Sequence, residues 1–378
     1  MPEAISRTAP PGRLSQTRVV KFARIRRERM LPSRGAVLVT AGSRVGALDI
    51  VARASTGGNL HPVPLARYLR TKETALERYL LKKPGEEVAD HEVIASKPES
   101  FGMLRRVYRA PKAGRIAAAQ GAWLAFDLMD TPLELRALYR GAVVSVMARQ
   151  GVVIEATGAL AQGAWGAGGE GYGVLRIMAD APEARLADDR IDVTARGAVL
   201  LAGAGVSEAA LRRAAQEQAA GLIVGGLAPQ LRRLVAELAL PTLVTEGFGE
   251  HPMCAPIFEL LTAHAGEEIV VNAPTDAHEA TLAPAVTASA GVRPEAFIPI
   301  LATGRASEVV APPPTLVAQT GTTVRVIGGA RFGEIAAITE IPTLPRTLES
   351  GVSAWGAEVT LNAVDRLFVP WENLEMIG

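Results

Sequence analysis

The sequence predicts a multidomain α+β chain: a β-rich first third, a central α/β domain with a parallel sheet, and a small β-barrel at the C-terminus. Three observations predict it. A turn-and-strand phrase recurs in the first third at an offset of 43 residues. Strand-like and helix-like segments alternate at short connections over residues 186–275, the pattern of a parallel sheet. Strand-like sequence then resumes after residue 318, beyond a low-charge stretch rich in Ala and Pro. The 378 residues suit about two to four domains. A composition of 48% hydrophobic and 21% charged residues is globular rather than disordered.

Residues 1–34 hold nine Arg and Lys (Arg7, Arg13, Arg18, Lys21, Arg24, Arg26, Arg27, Arg29, Arg34) against Glu3 and Glu28. The chain as a whole carries only +1. This segment reads as a basic N-terminal arm, either solvated and partly disordered or laid against an anionic partner such as RNA or an acidic protein. A single cysteine, Cys254, excludes a disulfide framework and a closed cysteine-based zinc site. No apolar run has the length of a signal peptide or of a membrane span, so a cytoplasmic protein without membrane insertion is expected. The lysines are Lys21, Lys72, Lys82, Lys83, Lys97 and Lys112. No P-loop or Schiff-base lysine is therefore available beyond residue 112.

The repeated phrase is G-x-x-V-x5-[VI]-A. It occurs as Gly42 to Val45 with Val51-Ala52, and again as Gly85 to Val88 with Ile94-Ala95. Each copy reads as a turn glycine, a strand entering the core, a bend and a second strand. Two related phrases follow, Arg109 to Ile116 and Tyr139 to Val146. The run from Leu80 to Ala95, with Ala110-Pro111-Lys112-Ala113-Gly114-Arg115-Ile116, resembles a barrel-sandwich hybrid, the fold of biotinyl and lipoyl carriers and of a module in the C subunit of Rnf-type electron-transport complexes. That resemblance implies a barrel-sandwich domain over residues 35–135. It departs from the carriers at the acceptor. Gly102-Met103-Leu104 stands where a carrier has Met-Lys-Met, and Lys97 lies too far upstream and precedes Pro98. A non-carrier β-scaffold is expected, with no cofactor attached.

Residues 136–185 read as a β-rich extension containing Gly166-Ala-Gly168-Gly-Glu-Gly171. The spelling matches G-x-G-x-x-G, but the apolar run Tyr172 to Met178 continues as a strand. No helix N-terminus is there to hold a pyrophosphate, so a glycine-rich β-connection is expected. In the α/β region strands are expected at 198–202, 222–224, 241–245 and 269–271, with helices at 207–220, 229–238 and 255–264. The strand-to-helix connections carry Gly203 and Gly205, Gly225 and Gly226, then Gly247 and Gly249. They share the carboxyl edge of a parallel sheet, where open α/β folds bind ligands. With Ser207, Glu246 and His251 they form the candidate small-molecule site, although short connections also need glycine for geometry alone. His251 with Cys254 gives two well-spaced metal ligands, with His264 and His278 downstream; two do not make a site, and no metal is expected. No Ser-His-Asp order or G-x-S-x-G elbow occurs, so no catalytic residue is assigned.

Residues 276–318, with Pro312-Pro-Pro314, read as a stiffened linker. Beyond them Gly321 to Ile338, with Val324, Val326, Gly329, Phe332 and Gly333, resembles a KOW motif, the hairpin of SH3-like barrels in NusG-type transcription factors and some ribosomal proteins. Ala336 replaces a frequent second glycine. The resemblance implies an SH3-like barrel over 319–378 that contacts RNA or a protein partner, with Arg325, Arg331, Phe332 and Trp371 as candidate contact residues. Residues 320–378 hold four Arg against seven Asp and Glu, a poor balance for neutralising phosphates. The combined order resembles an uncharacterised bacterial family of the same modules, which implies architecture without a particular activity. The leading expectation is a non-catalytic adaptor that binds a protein complex. The alternatives are an RNA- or ribosome-associated factor, and an enzyme or ligand sensor at the glycine-lined edge.

Overall fold

The computed structural model describes residues 15–54, 60–99, 104–128, 133–274, 293–300, 317–361 and 364–378. The molecule is β-rich and built from several sheets. His278, the triproline 312–314 and most of the expected linker lie outside the described residues.

Part of the expected basic arm is structured. Ser15–Thr17 forms β1 and Val19–Met30 forms β2. From Ala23 onward alternate residues of β2 (Ala23, Ile25, Arg29) are buried while Arg26 and Glu28 are exposed, the period-two pattern of a half-buried strand. Strands β3 (Ala36–Val37), β4 (Arg44–Val45), β5 (Ile50–Ala54) and β6 (Leu60–Val63) follow, then the short helix α1 (Leu65–Tyr68). Next come β7 (Glu87–Val88), β8 (Val93–Glu99), β9 (Leu104–Arg109), β10 (Gly114–Gln120) and β11 (Trp123–Leu128). β12 (Leu133–Arg136), β13 (Gly141–Met147) and β14 (Gly151–Gln162) complete this half. β12 straddles the boundary expected at residue 135 and pairs antiparallel with β5, so the chain returns to its earlier strands after residues 60–128.

The sequence repeat is a structural repeat, and one copy is nested inside the other. In the outer copy the Gly42 amide donates to the Val143 carbonyl and the Val143 amide to the Ser43 carbonyl. In the inner copy Gly85 donates to Ile116 and Ile116 to Glu86. The Gly46 amide donates to the Asp49 carboxylate at 2.8 Å, and the Ala89 amide to the Glu92 carboxylate at 2.8 Å. Both turn glycines have φ near +90° (Gly42 +89°, Gly85 +94°), a conformation that a Cβ disfavours. The inner copy owns a separate apolar core: Val63, Leu65, Leu69, Leu76, Val88, Ile94, Ile116, Leu124 and Phe126. Its four-stranded sheet runs β6-β11-β10-β7.

The central region contains β15 (Trp165–Ala167), β16 (Gly169–Ile177), β17 (Arg185–Leu186), β18 (Ala198–Leu201) and β19 (Gly205–Val206). Then come α2 (Glu208–Gln216), β20 (Gly221–Leu227), α3 (Arg232–Leu238), β21 (Thr242–Phe248), α4 (Ala255–Ala263), β22 (Glu268–Ala273) and β23 (Glu295–Pro299). The glycine cluster 166–171 lies in β15 and β16 and opens no helix, as the apolar run after it implies. One sheet runs β15-β21-β20-β18-β16-β22-β23-β14-β13-β4, with β2 along the other edge of β14. β16, β18, β20 and β21 are parallel. The expected fourth parallel strand, 269–271, is instead antiparallel to β16; it lies on the far side of β16 from β18. Leu200, Leu222, Val224 and Val244 face the layer containing α2 and α3, while Val199, Leu201, Ile223 and Leu243 face the layer containing α4. Burial on both faces explains why these strands read as unbroken apolar runs.

The C-terminal strands are β24 (Thr323–Val326), β25 (Ile335–Glu340), β26 (Arg346–Thr347), β27 (Ser353–Ala354), β28 (Gly356–Leu361), β29 (Asp365–Pro370) and β30 (Leu374–Ile377). Five of them, with β1, form a sheet in the order β1-β30-β24-β25-β28-β29. Among the described residues this sheet does not close into the expected barrel, because β1 from the N-terminus takes the edge of β30 in parallel.

Because the inner module has its own core, Phe126→Ala should destabilise it by about 3–5 kcal/mol. Native-state hydrogen exchange should show protection lost in β6, β10 and β11 while β14 stays protected.

Candidate functional site

The carboxyl edge of the parallel strands, the site expected from sequence, is closed by its own backbone. The Gly225 amide donates to the Gly203 carbonyl at 2.8 Å, and the Gly249 amide to the Leu227 carbonyl at 2.9 Å. A Cβ at Gly203 would lie 2.2 Å from the Ala184 oxygen, at Gly225 2.4 Å from the His251 oxygen, and at Gly226 2.2 Å from the Gly249 oxygen. Close backbone approach fills the space beside these three glycines. Gly247 and Gly249 have φ of +129° and +124°, so glycine is needed there for conformation. Gly205 pairs with Arg185 between β19 and β17. Ser207 caps α2, its Oγ accepting from the Ala210 amide at 3.1 Å.

The remaining two candidates at this edge meet the C-terminal sheet. Glu246 (4% exposed) and Glu375 (3%) both bind the guanidinium of Arg325 (1%), which also donates to the Thr245 carbonyl at 3.3 Å. Glu246 further accepts from the Thr245 hydroxyl at 3.1 Å and the Cys254 amide at 3.0 Å. Glu375 accepts from the Thr17 hydroxyl at 2.6 Å, the Ser15 hydroxyl at 3.0 Å and Arg293 at 3.0 Å. His251 stacks on Phe332, ring centroids 4.1 Å apart. Two residues of the expected ligand site, Glu246 and His251, thus meet two of the expected partner-contact residues, Arg325 and Phe332, in one internal contact. Arg325 is corrected from a partner-contact residue to a buried connector, because both carboxylates it neutralises are themselves buried. Arg331 is exposed and pairs with Glu334 and Asp365 at 3.2 and 3.4 Å. Trp371 packs on the C-terminal core.

Charge follows from this burial. Burial alone would raise the Glu375 pKa, but Arg325, Thr17 and Arg293 outweigh it and hold the carboxyl below its ordinary value. Burial, then the Glu246 carboxylate, pushes the Cys254 thiol up to about 12, so it is an inert neutral thiol. Among the described residues no group of three or more His, Cys, Asp or Glu could hold a metal ion. No helix among them is long and apolar enough to cross a membrane.

Two arginines of β2, Arg27 and Arg29, are committed in the same way. Arg27 forms a bidentate pair with fully buried Glu295 at 2.7 and 2.6 Å, and Tyr139 donates to Glu295 at 2.6 Å. Arg29, itself fully buried, pairs with Glu170 at 2.5 and 2.7 Å and donates to the Arg136 carbonyl. Arg26 pairs with Glu155 at 2.8 Å. Sequence patterning missed these pairs because each joins residues at least 129 positions apart.

A second feature escaped the sequence reading. On one edge β14 pairs with β13 over residues 151–155 and with β23 over 158–162. Where it changes neighbour the sheet splits, and a groove of about 720 Å³ opens there. It is lined by Arg44, Arg140, Glu155, Thr157, Tyr172 and Glu268, among others. Arg44 lies in the first copy of the repeated phrase and Arg140 in the later phrase Tyr139 to Val146.

Comparison with protein-family models, curated proteins and solved structures finds no match to this chain.

Removing the central guanidinium leaves buried carboxylates uncompensated, so Arg325→Met should cost about 3–5 kcal/mol. Alkylation of Cys254 in the native buffer should accelerate in that variant, since the same contact shields the thiol. The acid limb has a definite sign. The Glu375 pKa is lowered by folding, so its contribution is complete above the unfolded value of about 4.3 and is lost as pH falls below it. The urea midpoint should fall below that pH, and Glu375→Gln should flatten that part of the profile.

Proposed function

We propose that this chain is a non-catalytic adaptor that binds a protein complex through its β-modules. The nested repeat supports reading residues 36–147 as two barrel-sandwich units. The hairpin of β24 and β25, with Gly329 and Gly333 at φ of +80° and +85°, supports the KOW-like, SH3-like reading of the C-terminal sheet. The Lys97 amine donates to the Leu69 carbonyl at 3.1 Å and to that of Arg70. It is a tethered side chain rather than a swinging carrier arm.

The observation that carries the proposal is the outer face of the inner module. Trp123 (52% exposed) and Leu60 (57%) lie on it, with Pro62, Ala118 and Ala125 between them. A shallow hollow of about 470 Å³ beside Trp123 is lined by Glu73, Ala118, Gln120 and Ala125. An aromatic anchor on a small-residue floor is suited to a protein hot spot. The RNA reading loses support because Arg27 and Arg29 are neutralised internally. The enzyme reading loses support because Arg325 and Phe332 engage Glu246 and His251 and backbone fills the space beside Gly203, Gly225 and Gly226.

Affinity purification from the native host, with wild type beside Trp123→Asp, tests the proposal. It predicts the same proteins in fixed ratio with wild type and their loss with the variant. Recovery of nucleic acid that falls with rising salt, or of identical proteins with both forms, would refute it.

A further inference from the structure

We propose that the groove at the split in the large sheet is a binding site for a small organic anion bearing carboxylate or phosphate groups, held by Arg44 and Arg140. This inference stands apart from the adaptor reading. The site has a structural cause. β14 must leave β13 to reach β23, and Ile300 continues β23 by donating its amide to the Thr157 carbonyl at 3.0 Å. Between those two pairings no strand among the described residues occupies that edge of β14, and the opening has the volume of a small-ligand pocket.

The charges in it are unequally matched. Arg44 pairs with Ala142 across β4 and β13, and Ala142 with Glu155 across β13 and β14. Residues paired this way project on one face, and Arg140, two positions before Ala142, shares it. The carboxylates on the groove already have partners. Glu155 accepts from Arg26 Nε at 2.8 Å, and Glu268 lies close enough to the Tyr172 hydroxyl to help raise its pKa. The guanidiniums are held more loosely. Arg140 forms only a long ion pair with Glu268, at 4.0 Å, beyond hydrogen-bond distance. Among the described residues no hydrogen bond or ion pair engages the Arg44 side chain. Two planar donor forks facing one opening suit an oxyanion that accepts two hydrogen bonds from each. A smaller cavity of about 130 Å³, lined by Arg29, Arg136, Glu134 and Glu170 among others, shares Ala47 and Tyr172 with the groove.

Calorimetric titration of the full chain with citrate and with pyrophosphate tests this and separates the two chemistries. Saturable binding of at least one is expected, weakened about 10-fold or more in Arg44→Gln/Arg140→Gln and unchanged in Arg331→Gln, which alters a surface arginine elsewhere. A second measurement needs no variant. Phenylglyoxal should modify Arg44 and Arg140 in the free protein, and the bound anion should protect both. Absence of saturable binding by either anion, equal affinity in the double variant, or modification unaffected by the anion would overturn the assignment.

Discussion

The structure depends on one buried cation. The Arg325 guanidinium joins β24 of the C-terminal sheet to Glu246 at the end of a central parallel strand and to Glu375 on β30. A guanidinium at 1% exposure is tolerable only with full compensation, since an unpaired buried charge is expensive. The two carboxylates supply it and are in turn held by Thr17, Ser15, Arg293, Thr245 and the Cys254 amide. The network therefore gathers residues from both ends of the chain and the middle. Apolar contact runs alongside it, with Ile335 and Ile377 packed on the central core.

Arg27 and Arg29 repeat the device on β2, tying the N-terminal strand to Glu295 and Glu170. Such pairs add little to stability over apolar residues of the same size, yet breaking one is costly. Their value here lies in register. A slip of β2 by one residue would turn Arg27 and Arg29 away from their carboxylates and bury Arg26 and Glu28 instead. Arginine suits the task because its planar fork grips a carboxylate at two points.

What was legible in the sequence was local. The repeat glycines, the Ser207 cap, the helices of the central region and the reading of the 166–171 glycines as a β-connection all follow from patterns within about ten residues. What was hidden was long-range. Arg27 looks like part of a solvated basic run until Glu295 is placed beside it. Glu246 and His251 look like a ligand site until Arg325 and Phe332 arrive from another module. The strand at 269–271 continues the alternation that implies a parallel sheet, but it crosses to the far side of β16 and reverses direction. The nesting of one repeat in another was readable only in outline. The first halves stand 43 residues apart, while the second halves, Ile116 and Val143, stand 27 apart.

The fold thus turns residues that suggest reactivity into joints, and leaves its exposed chemistry on the nested module and in the split of the large sheet. The most direct test of that account is hydrogen exchange on the full chain as denaturant is raised. If the buried triad makes the C-terminal sheet and the central parallel strands one cooperative unit, amides of Thr323–Val326 and of Thr242–Glu246 will lose protection together. If the C-terminal sheet opens at much lower denaturant while the central strands stay protected, Arg325 is not the connector described and the glycine-lined edge is accessible.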